Sequence, residues 1–131
     1  MIETSSAIDT VEQCWALIGH QQGRVWLGQR VQPTTGKPVS VEFDGQWVLE
    51  REERHGDIIG FCHTHPGGSP EPSTRDLQTM RAWVGSFGKR LLCLIEPGDL
   101  VTAFRFDDDG CQGIELSLCE LSPGERFVVC E

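Results

Sequence analysis

Two imidazoles, a carboxylate and a hydroxyl fall within residues 63–76 of the chain, as His63-Thr64-His65-Pro66 and Ser73-Thr74-Arg75-Asp76. Histidines separated by one residue point to the same face of an extended strand, because side chains alternate along a strand with a period of two. Both can therefore grip one ion. The intervening loop is rich in Gly and Pro (Pro66, Gly67, Gly68, Pro70, Pro72), which lets the chain turn back so that Asp76, on a following helix, reaches the same point. Three protein ligands leave the fourth tetrahedral position to water, the pattern of a catalytic zinc site rather than a structural one.

Part of this segment has a plainer use. Ser73-x-x-Asp76 ahead of an apolar helical pattern is also a capping-box-like start, with Ser73 satisfying orphan amides and Asp76 favouring the positive helix end. Capping accounts for those two residues. It does not account for two histidines at the end of the apolar run Ile58-Ile59-Gly60-Phe61-Cys62.

The elements that must hold these residues alternate around one clear helix. Residues 12–19 and 24–28 read as strands joined by a turn at His20-Gln21-Gln22-Gly23. Ile8, Val11, Trp15 and Ile18 also fall at helical spacing, so a helix over that stretch stays open. Residues 32–38 read as a loop, 39–43 as a strand and 46–54 as a short charged helix. Leu77, Met80, Trp83, Val84 and Phe87 line one side of a helix ending at Gly88 and are expected in the core. Residues 91–95 are apolar throughout, as in a strand covered on both faces. Strands at 100–106, 114–121 and 126–130 follow, separated by the turns Asp107-Asp108-Asp109-Gly110 and Ser122-Pro123-Gly124-Glu125. The expected class is α/β (α+β): a mixed β-sheet flanked by helices, in a single domain over 1–131.

Composition narrows the function classes. With 131 residues, 38% hydrophobic and 24% charged, the chain has the make-up of a soluble globular domain able to bury a core. It has no apolar run near membrane-spanning length and no basic, apolar, small-residue start, so no membrane span and a cytoplasmic location are expected. A net charge of −9, with eleven scattered Lys and Arg, argues against nucleic-acid binding. The six cysteines are widely spaced with no Cys-x-x-Cys, and are expected as free thiols. A cysteine nucleophile with His20 or His55 as base has no local support, and no His-Glu-x-x-His is present.

Written as a pattern, His-x-His-Pro-x6-Ser-x-x-Asp resembles the JAMM (MPN+) metalloprotease motif, and the chain is similar to the compact prokaryotic members of that family. The resemblance implies the MPN fold, a cytidine-deaminase-like mixed sheet. It also implies Zn2+ held by His63, His65 and Asp76, with Ser73 helping to stabilise the oxyanion. The family's general base opens a strand similar to Glu-x-Cys-Gly-Leu-Leu-x-Gly; Glu12-Gln13-Cys14-Trp15-Ala16-Leu17-Ile18-Gly19 keeps the Glu and departs at Trp15 and Ala16. Glu12 is therefore the base that the resemblance implies. Were the stretch helical instead, the base would fall to Glu42, Glu50, Glu52 or Glu53.

The implied activity is that of a zinc isopeptidase or peptidase cutting the amide bond after the C-terminal glycine of ubiquitin or a ubiquitin-like or sulfur-carrier protein. E1-like and E2-like conjugation proteins are implied as partners. An extended Gly-Gly tail would suit such a site by pairing with a sheet edge. Two other readings compete: a RadC-like protein associated with DNA, similar through Gly68, Pro70 and Pro72, and a non-catalytic module of the same fold that binds a ubiquitin-like partner.

Overall fold

The computed structural model describes residues 13–31, 45–65, 67–98, 100–108, 113–122 and 125–131. The first two strands, β1 (Cys14–Gln22) and β2 (Val25–Val31), form an antiparallel hairpin in which Gln22 pairs with Val25. The turn is thus Gly23-Arg24 alone, later than the sequence pattern predicts. His20, Gln21 and Gln22 remain in the ladder, opposite Leu27, Trp26 and Val25, and the positive φ that a two-residue turn needs is met at Gly23, φ 64°. From Cys14 onward the helical alternative is excluded. Glu12, Ile8 and Val11 lie outside the described residues, as do the loop at 32–38 and the strand expected at 39–43 with Glu42.

The chain continues through α1 (Gly45–His55), β3 (Ile58–Thr64), α2 (Thr74–Phe87), β4 (Leu91–Glu96), β5 (Thr102–Phe106), β6 (Gly113–Ser122) and β7 (Arg126–Cys130). The sheet is mixed and carries helices, as expected, but it is closed rather than open: the strands run β1-β2-β7-β6-β5-β4-β3 around a barrel, with β3 returning to β1. Among the described strands only β3 and β4 are parallel, and α2 makes the crossover between them. Every described strand is paired on both sides, so the free sheet edge suggested for an extended tail is absent among the described residues.

Inside the barrel Trp15, Leu17, Trp26, Ile59, Cys62, Leu92, Leu94, Phe127 and Val129 form one cluster. Outside, α2 lays Met80 and Val84 over Phe61, Leu91, Cys93, Ile95 and Phe106, while Val48 of α1 packs on Ala16 and Ile58. Residues Leu91 to Ile95 are buried at every position because the barrel interior covers one face of β4 and α2 the other. Leu77, expected in the core, is 38% exposed. The buried stripe of α2 runs through Asp76, Met80 and Val84 at four-residue spacing, and Leu77 sits one position off it.

The phase of β3 decides where the histidines point. Ile58 packs outside the barrel and Ile59 inside, yet Phe61 is again outside and Cys62 inside. Strict alternation is broken between them by a bulge: Leu17 pairs with Gly60 while Ile18 pairs with Ile58, leaving Ile59 without a Cα partner on β1. Gly60 makes this possible. Its φ is 150°, and a Cβ there would stand 1.8 Å from the carbonyl oxygen of Leu92 on β4. Beyond the bulge His63 faces outward, beneath α2.

The expectation that all cysteines are free fails for one pair. Cys119 and Cys130 are joined in a disulfide. A second irregularity, between Leu118 and Glu120, shifts the β6–β7 register and leaves Cys119 out of the ladder, so that its Cα comes within 6.3 Å of that of Cys130. Wide spacing in sequence gave no sign of this contact. Cys14, Cys62 and Cys93 are buried.

Gly60→Ala is expected to lower the unfolding free energy by about 3 kcal/mol through backbone strain and the clash with β4. Urea denaturation beside the wild type measures it, and a loss below about 1 kcal/mol would show that the bulge tolerates a side chain.

Candidate metal centre

His63 is the penultimate residue of β3 and His65 follows the strand's last residue. The backbone extends the parallel ladder one step further: the His65 amide donates to the Glu96 carbonyl at 2.9 Å, next to the Thr64–Glu96 pair. The loop then turns at once, Gly68 N–H donating to the His65 carbonyl at 2.9 Å with Gly68 at φ 87°. It is anchored further on by Thr102, whose hydroxyl donates to the Pro70 carbonyl at 2.5 Å. Ser73 caps α2 as the capping-box reading expects: its Oγ accepts the Asp76 amide at 3.1 Å, and Asp76 Oδ2 accepts the Ser73 amide at 2.9 Å.

That cap delivers the Asp76 carboxylate to the histidines. His63 Nδ1 lies 2.5 Å from Asp76 Oδ1 and His65 Nε2 lies 3.0 Å from Asp76 Oδ2. All three side chains are buried, Asp76 to 1% exposure. Burial pushes the Asp76 carboxyl up, but the hydrogen bond to His63 and the amide of Ser73 outweigh it and lower its pKa to about 2. The group is a carboxylate across the neutral range.

The donor set fits a cation. His65 Nδ1 faces the Ser69 carbonyl at 3.0 Å and must carry the proton of that contact, since a carbonyl can only accept. In the neutral ring the Nε2 lone pair then confronts the carboxylate oxygen of Asp76, two acceptors that need a proton or a metal ion between them. One potential ligand atom from each of His63, His65 and Asp76 lies within 4.8 Å of the others. Two imidazoles and a carboxylate are a borderline donor set of the kind that holds zinc or a similar divalent ion. The Ser69 carbonyl supplies the outer contact that fixes a ligating ring. Below the site, Phe61 stacks at 5.0 Å from the His63 ring and is met edge-on by Trp83 at 5.2 Å.

The structure thus brings together His63, His65, Asp76 and Ser73. The alternative carboxylates Glu50, Glu52 and Glu53 all lie on α1 and belong to no group of potential ligands among the described residues. Glu52 is engaged with Lys89 and with the Ile58 amide, at the opposite end of β3, roughly 16 Å from His63 at about 3.3 Å per residue. Glu50 accepts from Gln46 at 3.1 Å. The sequence reading missed Ser69, which acts through its backbone and leaves no side-chain signal. It also missed Thr64, the residue between the histidines, whose hydroxyl accepts the Gln13 amide at 2.8 Å and ties the start of β1 to the site. Glu96 was missed as well, although its place directly after an all-apolar strand marks it as lying at the sheet's end.

A closed barrel with a His-His-Asp group at the crossover between its two parallel strands is the class of protein defined here. A family described as prokaryotic homologs of the JAB domain matches residues 1–107, and the chain belongs to that family. It is also similar to a desampylase of Pyrococcus furiosus, 31% identical over 78 residues, which is 56% of this chain and 55% of the relative. The chain spans about half the length of that curated relative.

His65→Ala and Asp76→Ala are each expected to abolish binding of one zinc equivalent in a competition titration against a chromophoric chelator. Stoichiometric binding by both variants would show that the metal sits elsewhere. Ser73→Ala should retain the metal and lose about 1 kcal/mol of stability with its cap.

Proposed function

We propose that the protein is a zinc-dependent JAMM-type hydrolase of MPN fold that cleaves the amide bond following the C-terminal glycine of a ubiquitin-like protein. The observation that carries this reading is the buried His63–His65–Asp76 group, one potential ligand atom from each within 4.8 Å of the others, in a chain of the JAB family. Similarity to a protein named desampylase supports a protein modifier as substrate. Zinc bound there supplies Lewis acidity and makes water available as hydroxide near neutral pH.

The chain's own residues supply the rest. His63, His65 and Asp76 hold the ion, with His65 oriented by the Ser69 carbonyl. Ser73 is exposed, and although its oxygen accepts the Asp76 amide, its hydroxyl hydrogen remains to be donated to a developing oxyanion. Capping and catalysis are thus compatible in one side chain. Glu12 is our candidate for the general base. It precedes Gln13 by one peptide bond, and Gln13 is held beside Thr64 by two hydrogen bonds: its amide to Thr64 Oγ1 and the Thr64 amide to its carbonyl at 3.0 Å. The role Glu12 would fill is to take a proton from water and return it to the leaving amine. A cytoplasmic site of action, with conjugation proteins supplying the modified targets, completes the proposal.

The test is cleavage of ubiquitin and bacterial ubiquitin-like proteins fused through the C-terminal glycine to a reporter. We expect turnover that a chelator removes and zinc restores. Glu12→Gln should bind zinc normally and lose activity, and Ser73→Ala should lose on the order of 3 kcal/mol in transition-state stabilisation. Full activity of Glu12→Gln would exclude Glu12 as the base, and chelator-resistant cleavage would exclude the metal mechanism.

A further inference from the structure

Arg30 is a charged residue placed where an apolar one would serve the barrel better. It lies on β2 opposite Leu17, on the inward face, and is only 8% exposed. From there its side chain reaches across the barrel mouth. Nη1 donates to Glu96 Oε1 at 2.7 Å, at the end of β4, and contacts the Cys62 sulfur at 3.5 Å. Nε donates to the Glu125 carboxylate, and the guanidinium carbon stands 4.2 Å above the Trp15 ring. The Arg30 backbone amide also donates to the Glu125 carbonyl at 2.9 Å. One side chain therefore joins β1, β2, β3, β4 and the turn before β7, at the end of the barrel where the motif leaves β3.

Nothing in the hydrolytic chemistry uses this cation. Its effect passes through Glu96, whose side chain it grips and whose carbonyl receives the His65 amide. We infer that Arg30 is a positioning residue: by fixing Glu96 at the end of β4 it fixes the backbone of His65 and so holds that imidazole against Asp76. Buried ion pairs cost desolvation and are weak stabilisers in themselves, whereas a fork of donors on one planar group sets the relative placement of several strands with little freedom left. The inference about His65's backbone stands on geometry alone; only its consequence for metal affinity rests on the metal-centre reading.

Arg30→Met keeps much of the side chain's apolar length while removing the cation. Trp26→Phe serves as its control, because it removes the indole hydrogen bond to Glu131 at 2.8 Å toward the start of β2 and touches no part of the motif. In the metal-free protein, hydrogen exchange of the His65 amide, taken relative to amides in the middle of β4, should quicken at least tenfold in Arg30→Met and stay unchanged in Trp26→Phe. Zinc affinity should fall about tenfold in the first and not in the second, the usual size of an outer-contact loss. Equal His65 exchange in the two variants would overturn the inference. Should wild type bind no zinc, the metal-centre reading fails while the exchange comparison still decides the role of Arg30. If Arg30→Met does not fold, Glu96→Gln removes the charge with the same shape, and wild-type exchange at His65 in that variant would sink the idea equally.

Discussion

The bulge at Gly60 is the constraint on which the site depends. A strand in a closed barrel has one face toward the interior and one toward its surroundings, and alternation fixes which residues go where. Carried on unbroken from Ile59 inside, it would put Phe61 and His63 into the barrel, among Trp15, Leu17 and Phe127. A ligating imidazole there would be sealed in apolar surroundings, and α2 could not reach it. By leaving Ile59 without a Cα partner on β1, the bulge turns His63 outward and Cys62 inward. Only glycine fits, because β4 passes within bonding distance of where a Cβ would be. The parallel β3–β4 pair and the bulge are therefore one device: the close passage of Leu92 demands the glycine, and the glycine permits the change of phase.

Asp76 is the second element of that device, and it joins folding to function through one carboxylate. Its Oδ2 accepts the Ser73 amide and closes the capping box, which starts α2 at a defined residue. The same carboxylate meets both imidazoles. A charge buried this deeply is tolerable because each oxygen has a hydrogen-bond partner, Oδ1 the His63 ring and Oδ2 the Ser73 amide. Helix register follows: with Asp76 turned to the site, Met80 and Val84, one and two turns later, necessarily face β3 and β4. The stripe that looks like simple helix amphipathicity is set by the carboxylate at its head.

The meeting of His63, His65 and Asp76 and most elements were legible in the sequence, since local rules govern them. His63 and His65 share a face by strand periodicity, Ser73 and Asp76 form the cap that their spacing announces, and the short charged helix and the buried strand at 91–95 appear where composition puts them. What escaped was non-local. Closure of the sheet depends on β1 meeting β3, and no single segment encodes that pairing. Cys119 and Cys130 meet because of a register shift between Leu118 and Glu120, and Leu77 falls outside the core by one helical position. Arg30 is invisible as a plug because its partners, Glu96 and Glu125, are distant in sequence. Glu12 rests on resemblance and on its neighbour Gln13 alone.

Closure of the barrel also bears on how an extended chain could reach the metal under the proposed function. With β3 and β1 paired on both sides, a tail cannot enter by adding a strand next to the histidines. Beside the site, the loop at 67–71 is exposed and is pinned to Thr102 through the Pro70 carbonyl, and Leu100 is exposed as well. Without a free strand edge beside the histidines, recognition of a tail has to come from steric restriction near His63, His65 and Asp76 and from contacts with the folded body of the substrate. A tail of small residues suits the first demand, because the loop beside the site is hydrogen-bonded to His65 itself and the cap of the helix that carries Asp76 adjoins both histidines.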